Sequence, residues 1–308
     1  MPSVLPYVYP TFVHKTSVYL PEGLKSALTT FAGQTHRSEA DVIRLAIERL
    51  VSGEPGLPTT LAAARPPVVK GPPRVVAIGV GPGDPDLLTE RALVTLRLAD
   101  RVFAPTTGAD AIGRAEMVVR AVAPEVRVDR LEVAIAGDAD ARDASLIAAA
   151  DALIAAVDSG EVVAFVTLGD PNLYTTFPAI HRRLRTKRPD VAVETVPGIM
   201  SCPELAARTG TVVVEGDDRV LIVSGADAAR AQCGALSDPR CALVVYKGGR
   251  HLPELAAELA RVGRLDGAVV GEGFGLPGGR GVAVAAVADR PASYLATVVI
   301  PVVIPVVG

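Results

Sequence analysis

Cysteine is scarce: Cys202, Cys233 and Cys241 are the three in 308 residues, an odd number with neither CxxC nor Cys/His ligand spacing. That argues against a disulfide framework and a structural zinc site, and no metal is expected. Long apolar runs are lacking too. The mean hydropathy is +0.35, but it comes from Ala and Val scattered among Asp, Arg and Gly. No stretch reaches about 18 apolar residues, so no spanning helix is expected. The opening MPSVLPYVYPTF has no basic leader region and too short an apolar stretch for a secretory signal, which predicts a cytoplasmic protein. Positive charge is not in excess. The 31 Lys and Arg against 34 Asp and Glu leave a net −3, which excludes a globally basic nucleic-acid binder but not a local basic cleft. Ser/His/Asp and Cys/His constellations are absent, and the one short recurrence is the tail VVIPVVIPVVG.

What the chain does have is apolar content, 49% hydrophobic against 21% charged, over a length that predicts two or three domains. From Ser52 to Pro73 the sequence is rich in Pro, Gly and Ala without amphipathic period, which places a linker at 53–73 behind a small module, 1–52. That module opens with a strand from His14 to Leu20, where Thr16, Val18 and Leu20 share one face. A helix from Glu22 to about Thr35 follows, with Leu24, Ala27, Leu28 and Phe31 at helical spacing. A second begins at Ser38, capped with Asp41 and striped by Val42, Ile43, Ala46, Ile47 and Leu50. One strand and two helices bury too little alone, so pairing with a second copy is expected. From Val13 to Val51 the pattern resembles the ribbon-helix-helix family, which implies a DNA contact through Lys15, Ser17 and Tyr19 with phosphate near Ser38. Five Lys/Arg against four Asp/Glu in 1–52 make a thin electrostatic footprint for that role, and plain dimerisation is the competing reading.

Beyond Arg74, β-rich runs at Val75–Val80, Val162–Leu168 and Val191–Val196 alternate with helical stretches near Leu87–Leu98 and through Ala207. The pattern restarts after about Glu215 with Val220–Ser224, Ala242–Tyr246, a helix His251–Val262, Ala268–Val270 and a closing strand Ser293–Ile300. This predicts an α/β protein with two α/β domains, 74–214 and 215–308. Three of its loops carry the chemistry. GVGPGDPDLLT follows the first strand, but Asp84 stands where a dinucleotide fingerprint needs its third glycine. A carboxylate there would repel a pyrophosphate, so a cofactor without phosphates fits better. Asp84 or Asp86 also suits a helix cap. VTLGDPNLYTTF places Gly169, Asp170, Tyr174, Thr175 and Thr176 at the carboxyl end of another strand, where open α/β sheets bind ligands. VPGIMSCPELAARTG repeats the arrangement with Pro197 and Gly198 before a helix.

These three loops, followed by VVYKGGRHLPEL and EGFGLPGG, resemble the tetrapyrrole methylase family over about Arg74 to Pro301. Within it, GDPNLYTTF and YKGGRHLPEL look most like the precorrin-2 C(20)-methyltransferases of cobalamin biosynthesis. The resemblance implies two α/β domains with S-adenosylmethionine in the cleft between them, a homodimer, and a cyclic tetrapyrrole, precorrin-2, as methyl acceptor. It also implies that Pro82, Leu168, Gly169, Asp170, Leu173, Thr175, Thr176, Met200, Ser201 and Lys247 line the cofactor, while Gly83 and Asp84 face the acceptor. Met200-Ser201-Cys202-Pro203 departs from the family's small and hydroxyl residues followed by an aromatic.

Methyl transfer from a sulfonium is an in-line displacement, so the protein mainly positions the reactants and excludes water. A proton acceptor is needed once the methyl is attached, for which Asp84 and Tyr174 are the candidates. Because the acceptor carries many carboxylates, cations are expected around it: Lys247, Arg250 and His251 in one loop, with Arg114 and Arg208 behind them. His14, His36 and His181 read as surface or packing residues. Two other functions compete. Peptide backbone N-methyltransferases of the same fold carry a Val/Ile-rich substrate at their own C-terminus. Against this, only seven residues follow Pro301, about 25 Å at full extension, and a strand-edge extension or dimer contact is preferred for them. The other is a DNA-binding regulator with an idle methylase domain.

Overall fold

The computed structural model describes residues 19–34, 37–52, 70–108, 111–134 and 139–303. The chain forms two compact units, 1–67 and 68–308, divided inside the predicted linker.

The first unit holds α1 (Glu22–Gln34) and α2 (Glu39–Ser52). Ser38 caps α2 as its sequence predicts: its hydroxyl oxygen accepts from Asp41 N at 3.1 Å and its hydroxyl donates to the Asp41 carboxylate at 2.6 Å. Glu39 ties the helices together, paired with Lys25 and accepting from the Thr29 hydroxyl at 2.6 Å. Of the predicted ribbon only Tyr19 and Leu20 fall within the described residues, and neither is in a strand.

The second unit contains two five-stranded sheets. The first consists of β1 (Arg74–Gly79), β2 (Arg101–Thr106), β3 (Val128–Glu132), β4 (Val162–Thr167) and β5 (Val193–Val196), in the order β3-β2-β4-β1-β5. Every pairing is parallel. The central strands β1 and β4 are continuous apolar runs because both of their faces are covered. Val75, Ala77, Val163 and Phe165 point to the core shared with α5 (Ala139–Asp158) and α6 (Phe177–Lys187). Val76, Ile78, Ala164 and Val166 point to the other, under α3 (Glu90–Leu98) and α4 (Arg114–Val122). Phe165, fully buried, contributes about 2 kcal/mol by its burial alone. Because all five strands run the same way, their carboxyl ends and following loops gather at one edge of the sheet.

The second sheet comprises β6 (Arg219–Ser224), β7 (Cys241–Tyr246), β8 (Val269–Glu272), β9 (Arg280–Ala283) and β10 (Thr297–Ile300), ordered β6-β7-β10-β8-β9. Only β6 and β7 run parallel. Its outer face packs under α8 (Ala226–Arg230), α9 (Cys233–Ser237) and α10 (Leu252–Arg261). Its inner face presents Val244, Tyr246, Val269 and Val299 to Leu205 of α7 (Ser201–Thr209). Helix α7, which sequence reading places in the first domain, therefore packs against the second sheet.

The closing strand β10 is shorter than Ser293–Ile300 and lies in the middle of the sheet. Pro301 ends it, and the chain leaves with Val302 N donating to Val213 O at 3.1 Å and Val303 N to Pro239 O at 2.9 Å. Through Val303 the tail is thus not the strand-edge extension expected; residues 304–308 lie outside the described residues. Arg264, buried, fixes this exit by donating to the carbonyls of Leu236, Asp238, Cys241 and Pro301. Among the described residues no helix is long and apolar enough to cross a membrane.

Candidate active site

Three strand ends meet at glycines. The Gly169 amide donates to Gly81 O at 2.7 Å, joining the loop after β4 to the loop after β1. A Cβ on Gly79 would strike the Gly169 carbonyl and come within 2.6 Å of Gly198 N, and one on Gly198 would meet Gly169 O and Gly79 in turn. Main chain is packed on main chain here, which only glycine permits. Asp170 completes the junction: its carboxylate accepts from Asn172 N at 2.9 Å in its own loop and from Gly198 N at 3.1 Å in the loop after β5.

Above this floor lies a cleft of about 410 Å³ bounded by both sheets. From the first come Pro82, Leu168, Gly169, Asp170 and Leu173 with Tyr174, Thr175 and Thr176; from the second come Tyr246, Lys247, Glu272 and Phe274. Met200 and Ser201 open α7 between them, and Arg114 opens α4. Every residue predicted to line the cofactor lines this cleft. Several have a definite partner. Ser201 shares a 2.6 Å hydrogen bond with the buried Thr297, and the Thr175 hydroxyl donates to Pro171 O at 2.8 Å. Arg114 joins the two sheets by donating to the Phe274 carbonyl, and burial draws its pKa below the usual arginine value.

Tyr174 and Lys247 are the two described non-glycine residues with left-handed backbones, φ 51° and 56°. Lys247 Nζ donates to Tyr174 O at 2.8 Å, and the Tyr174 hydroxyl donates to Ile222 O at 3.0 Å on β6. Burial, reinforced by the charge of Arg142, lowers the Lys247 pKa. Burial likewise raises the Tyr246 phenol, and raises the Cys202 thiol to about 11.

The remaining predicted residues lie elsewhere. Asp84 is not part of the cleft wall. It caps a short 3-10 turn by accepting from Asp86 N at 3.1 Å, and it stands 3.5 Å from Arg208. Arg208 is itself paired with Glu204 and lies over the Phe274 ring. Gly83 packs under the Phe274 carbonyl. Arg250 lines a neighbouring hollow, stacked 4.8 Å over Tyr294, and His251 sits 3.5 Å from Glu254. His181 packs on the Phe177 ring at 5.6 Å. Sequence reading missed Thr106 at the end of β2 and Thr107 and Ile112 after it, together with Arg142, Glu272 and Tyr294. The run APTTG at the end of an apolar strand was the available signal for the first two.

Residues 74–287 match the family of tetrapyrrole (corrin/porphyrin) methylases. The chain is 32% identical over 237 residues to a precorrin-2 C(20)-methyltransferase from Sinorhizobium sp, covering 74% of this chain and 95% of that protein. Its fold superposes on a cobalamin-synthesis-related protein from Corynebacterium diphtheriae with a TM-score of 0.56 at 20% identity, covering 73% of this chain and 97% of that one. It also superposes on a uroporphyrin-III C-methyltransferase from Thermus thermophilus complexed with S-adenyl homocysteine, at a TM-score of 0.50 and 24% identity, over 73% and 96% of the two chains. With more than two thirds of its length matched, and with the glycine loops at the carboxyl ends of a parallel sheet, the chain belongs to the tetrapyrrole methylase family.

Proposed function

We propose that this chain is an S-adenosylmethionine-dependent C-methyltransferase of cobalamin biosynthesis that methylates precorrin-2 at C-20. The observation that carries the reading is the composition of the cleft on its glycine floor. Apolar Leu168, Leu173 and Met200 stand beside the hydroxyls of Thr176 and Ser201 and the main chain of Gly169. That donor set suits a nucleoside and an amino-acid group. S-adenosylmethionine supplies an electrophilic methyl group on a sulfonium sulfur when bound. Leu168, Gly169 and Leu173 would hold it over the floor, with Met200 and Ser201 closing the side toward the second sheet.

The chain's own residues then orient the acceptor and exclude water. Among the described residues the two carboxylates lining the cleft are both engaged: Asp170 by two amides, and Glu272 by the Ser293 amide and Arg280, which together hold its pKa down. The Tyr174 phenol donates its proton to Ile222 O. A proton displaced from the ring carbon therefore passes to solvent in this reading, and catalysis is positional.

Self-pairing through the N-terminal unit completes the reading. On α1 and α2, Leu24, Phe31 and Ile47 are 49%, 53% and 52% exposed, apolar stripes that a second copy would cover. Cys202 and Cys241 are free thiols, which fits a reducing, cytoplasmic setting. The DNA contact rests on Lys15, Ser17 and Tyr19, of which only Tyr19, exposed, falls within the described residues. The test is incubation with methyl-labelled cofactor and either metal-free or cobalt-bearing precorrin-2, with the product identified by NMR. Label at C-20 is expected; label at another carbon, or none beside sequence-specific DNA binding, overturns the reading.

A further inference from the structure

The cleft does not end at the glycine loops. Past Thr107, Ala134 and Tyr294, which line both spaces, it continues into a second hollow bounded also by Glu132, Ser145 and Arg250. Two guanidinium groups stand near this junction. Arg142, near the start of α5, lines the main cleft, while Ala141 and Ser145 on the same helix line the hollow. Arg250 lies 4.8 Å over the Tyr294 ring, a stack that holds the guanidinium plane and leaves its edge to meet a planar acceptor. Neither arginine has a carboxylate partner among the described residues, whereas Arg183 on α6 is paired with Asp143.

The surrounding charges make the location specific. Lys247 is near enough to Arg142 to feel its field, but its ammonium is already held by the Tyr174 carbonyl. Glu272, on the main cleft, is paired with Arg280, and among the described residues Glu132 is the carboxylate that lines the hollow. Unpaired guanidinium groups beside a concave surface concentrate anions and recognise carboxylates through paired N–H donors.

Resting on the methyltransferase reading above, we propose that Arg142, acting with Arg250, binds a carboxylate side chain of the macrocyclic acceptor. Arg142 is thereby a specificity-determining residue of this chain. The anchored acid group fixes the rotation of the ring over the donor site, so that one ring position is offered to the methyl group.

The test is equilibrium binding of uroporphyrin III, a fluorescent macrocyclic polycarboxylate, to the full chain, alongside calorimetry with S-adenosylhomocysteine. Arg142→Gln and Arg250→Gln are each expected to weaken porphyrin binding about ten-fold or more, and to flatten its salt dependence, while thioether affinity changes by less than about two-fold. Arg142→Lys should recover only part of the loss, because an ammonium lacks the planar fork. Wild-type affinity in Arg142→Gln, or no porphyrin binding by the wild type, overturns the proposal. Weakened porphyrin binding by the variants, with no methylation of precorrin-2 by the wild type, leaves the anion site standing and removes the assigned reaction instead.

Discussion

Lys247 and Tyr174 hold each other across the cleft: the lysine ammonium donates to the tyrosine carbonyl at 2.8 Å, with both backbones left-handed. Such conformations cost about 1–2 kcal/mol each for side-chain-bearing residues and persist only where the surroundings enforce them. Here the enforcement is mutual. The Tyr174 phenol adds a second tie to Ile222 O on the edge of the other sheet. Tyr174 thereby joins the two halves of the site with both its main chain and its side chain.

That arrangement separates tethering from proton transfer. Tyr174→Phe should lose one partly exposed hydrogen bond, a cost of about 0.5–1 kcal/mol, with a several-fold rise in cofactor KM and little change in kcat. Asp84→Asn should be similarly mild, since the amide oxygen can still cap Asp86. Steady-state kinetics decide: a kcat loss of about 100-fold or more in either variant would restore it as a proton acceptor.

The glycine floor predicts a contrast between neighbours. Gly169 has φ +72° but open space where a Cβ would go, so Gly169→Ala should cost only backbone strain, about 1–2 kcal/mol. Gly198→Ala has no such room. It should cost at least about 3 kcal/mol and abolish S-adenosylhomocysteine binding, because the added atom separates the ends of β1, β4 and β5. Denaturant titration and calorimetry on the two variants provide the comparison; equal effects would mean that the junction gives way easily.

Asp170 couples two loops through charge-assisted bonds, each worth about 1.5–3 kcal/mol. Asp170→Ala leaves the Gly198 and Asn172 amides unpaired and should lower both stability and thioether affinity. Asp170→Asn keeps an acceptor oxygen and should recover most of the stability. Matching losses in the two variants would show that the charge, rather than the geometry, is what the site uses.

The pH dependence of stability should carry the signature of His181. Burial against Phe177, with the nearby charge of Arg185, lowers its pKa below the ordinary 6.5. Between that lowered value and 6.5 the unfolded chain binds more protons than the folded one. The contribution of His181 is therefore fully present above pH 6.5 and is lost as pH falls through the window down to the folded pKa. Relative to His181→Phe, the wild type should lose stability over that interval in denaturant titrations. Parallel curves would mean that the imidazole titrates alike in both states.

Local chemistry made part of this molecule legible in its sequence. The apolar runs of β1 and β4, the Ser38 cap and the glycines of the three loops are decided by residues a few positions apart, and they appear as read. What the sequence concealed is set by distant packing. Nothing local says that β10, last in the chain, inserts between β7 and β8, or that α7 leaves its own sheet for the other. The pairing of Asp84 with Arg208 unites residues more than a hundred positions apart. Arg142 sits in an Ala-rich helix with no motif around it, and only the tertiary fold brings it to the rim.

A pocket base made of peptide planes has no rotamers to vary. Point substitution at Gly79 or Gly198 dislodges a whole strand terminus before it can adjust a ligand contact, so this part of the donor end is closed to gradual change. Inherited variation in which macrocycle is accepted must then accumulate along the walls, at positions such as Ile112, Arg142 and Tyr294, whose side chains can be exchanged without moving the foundations.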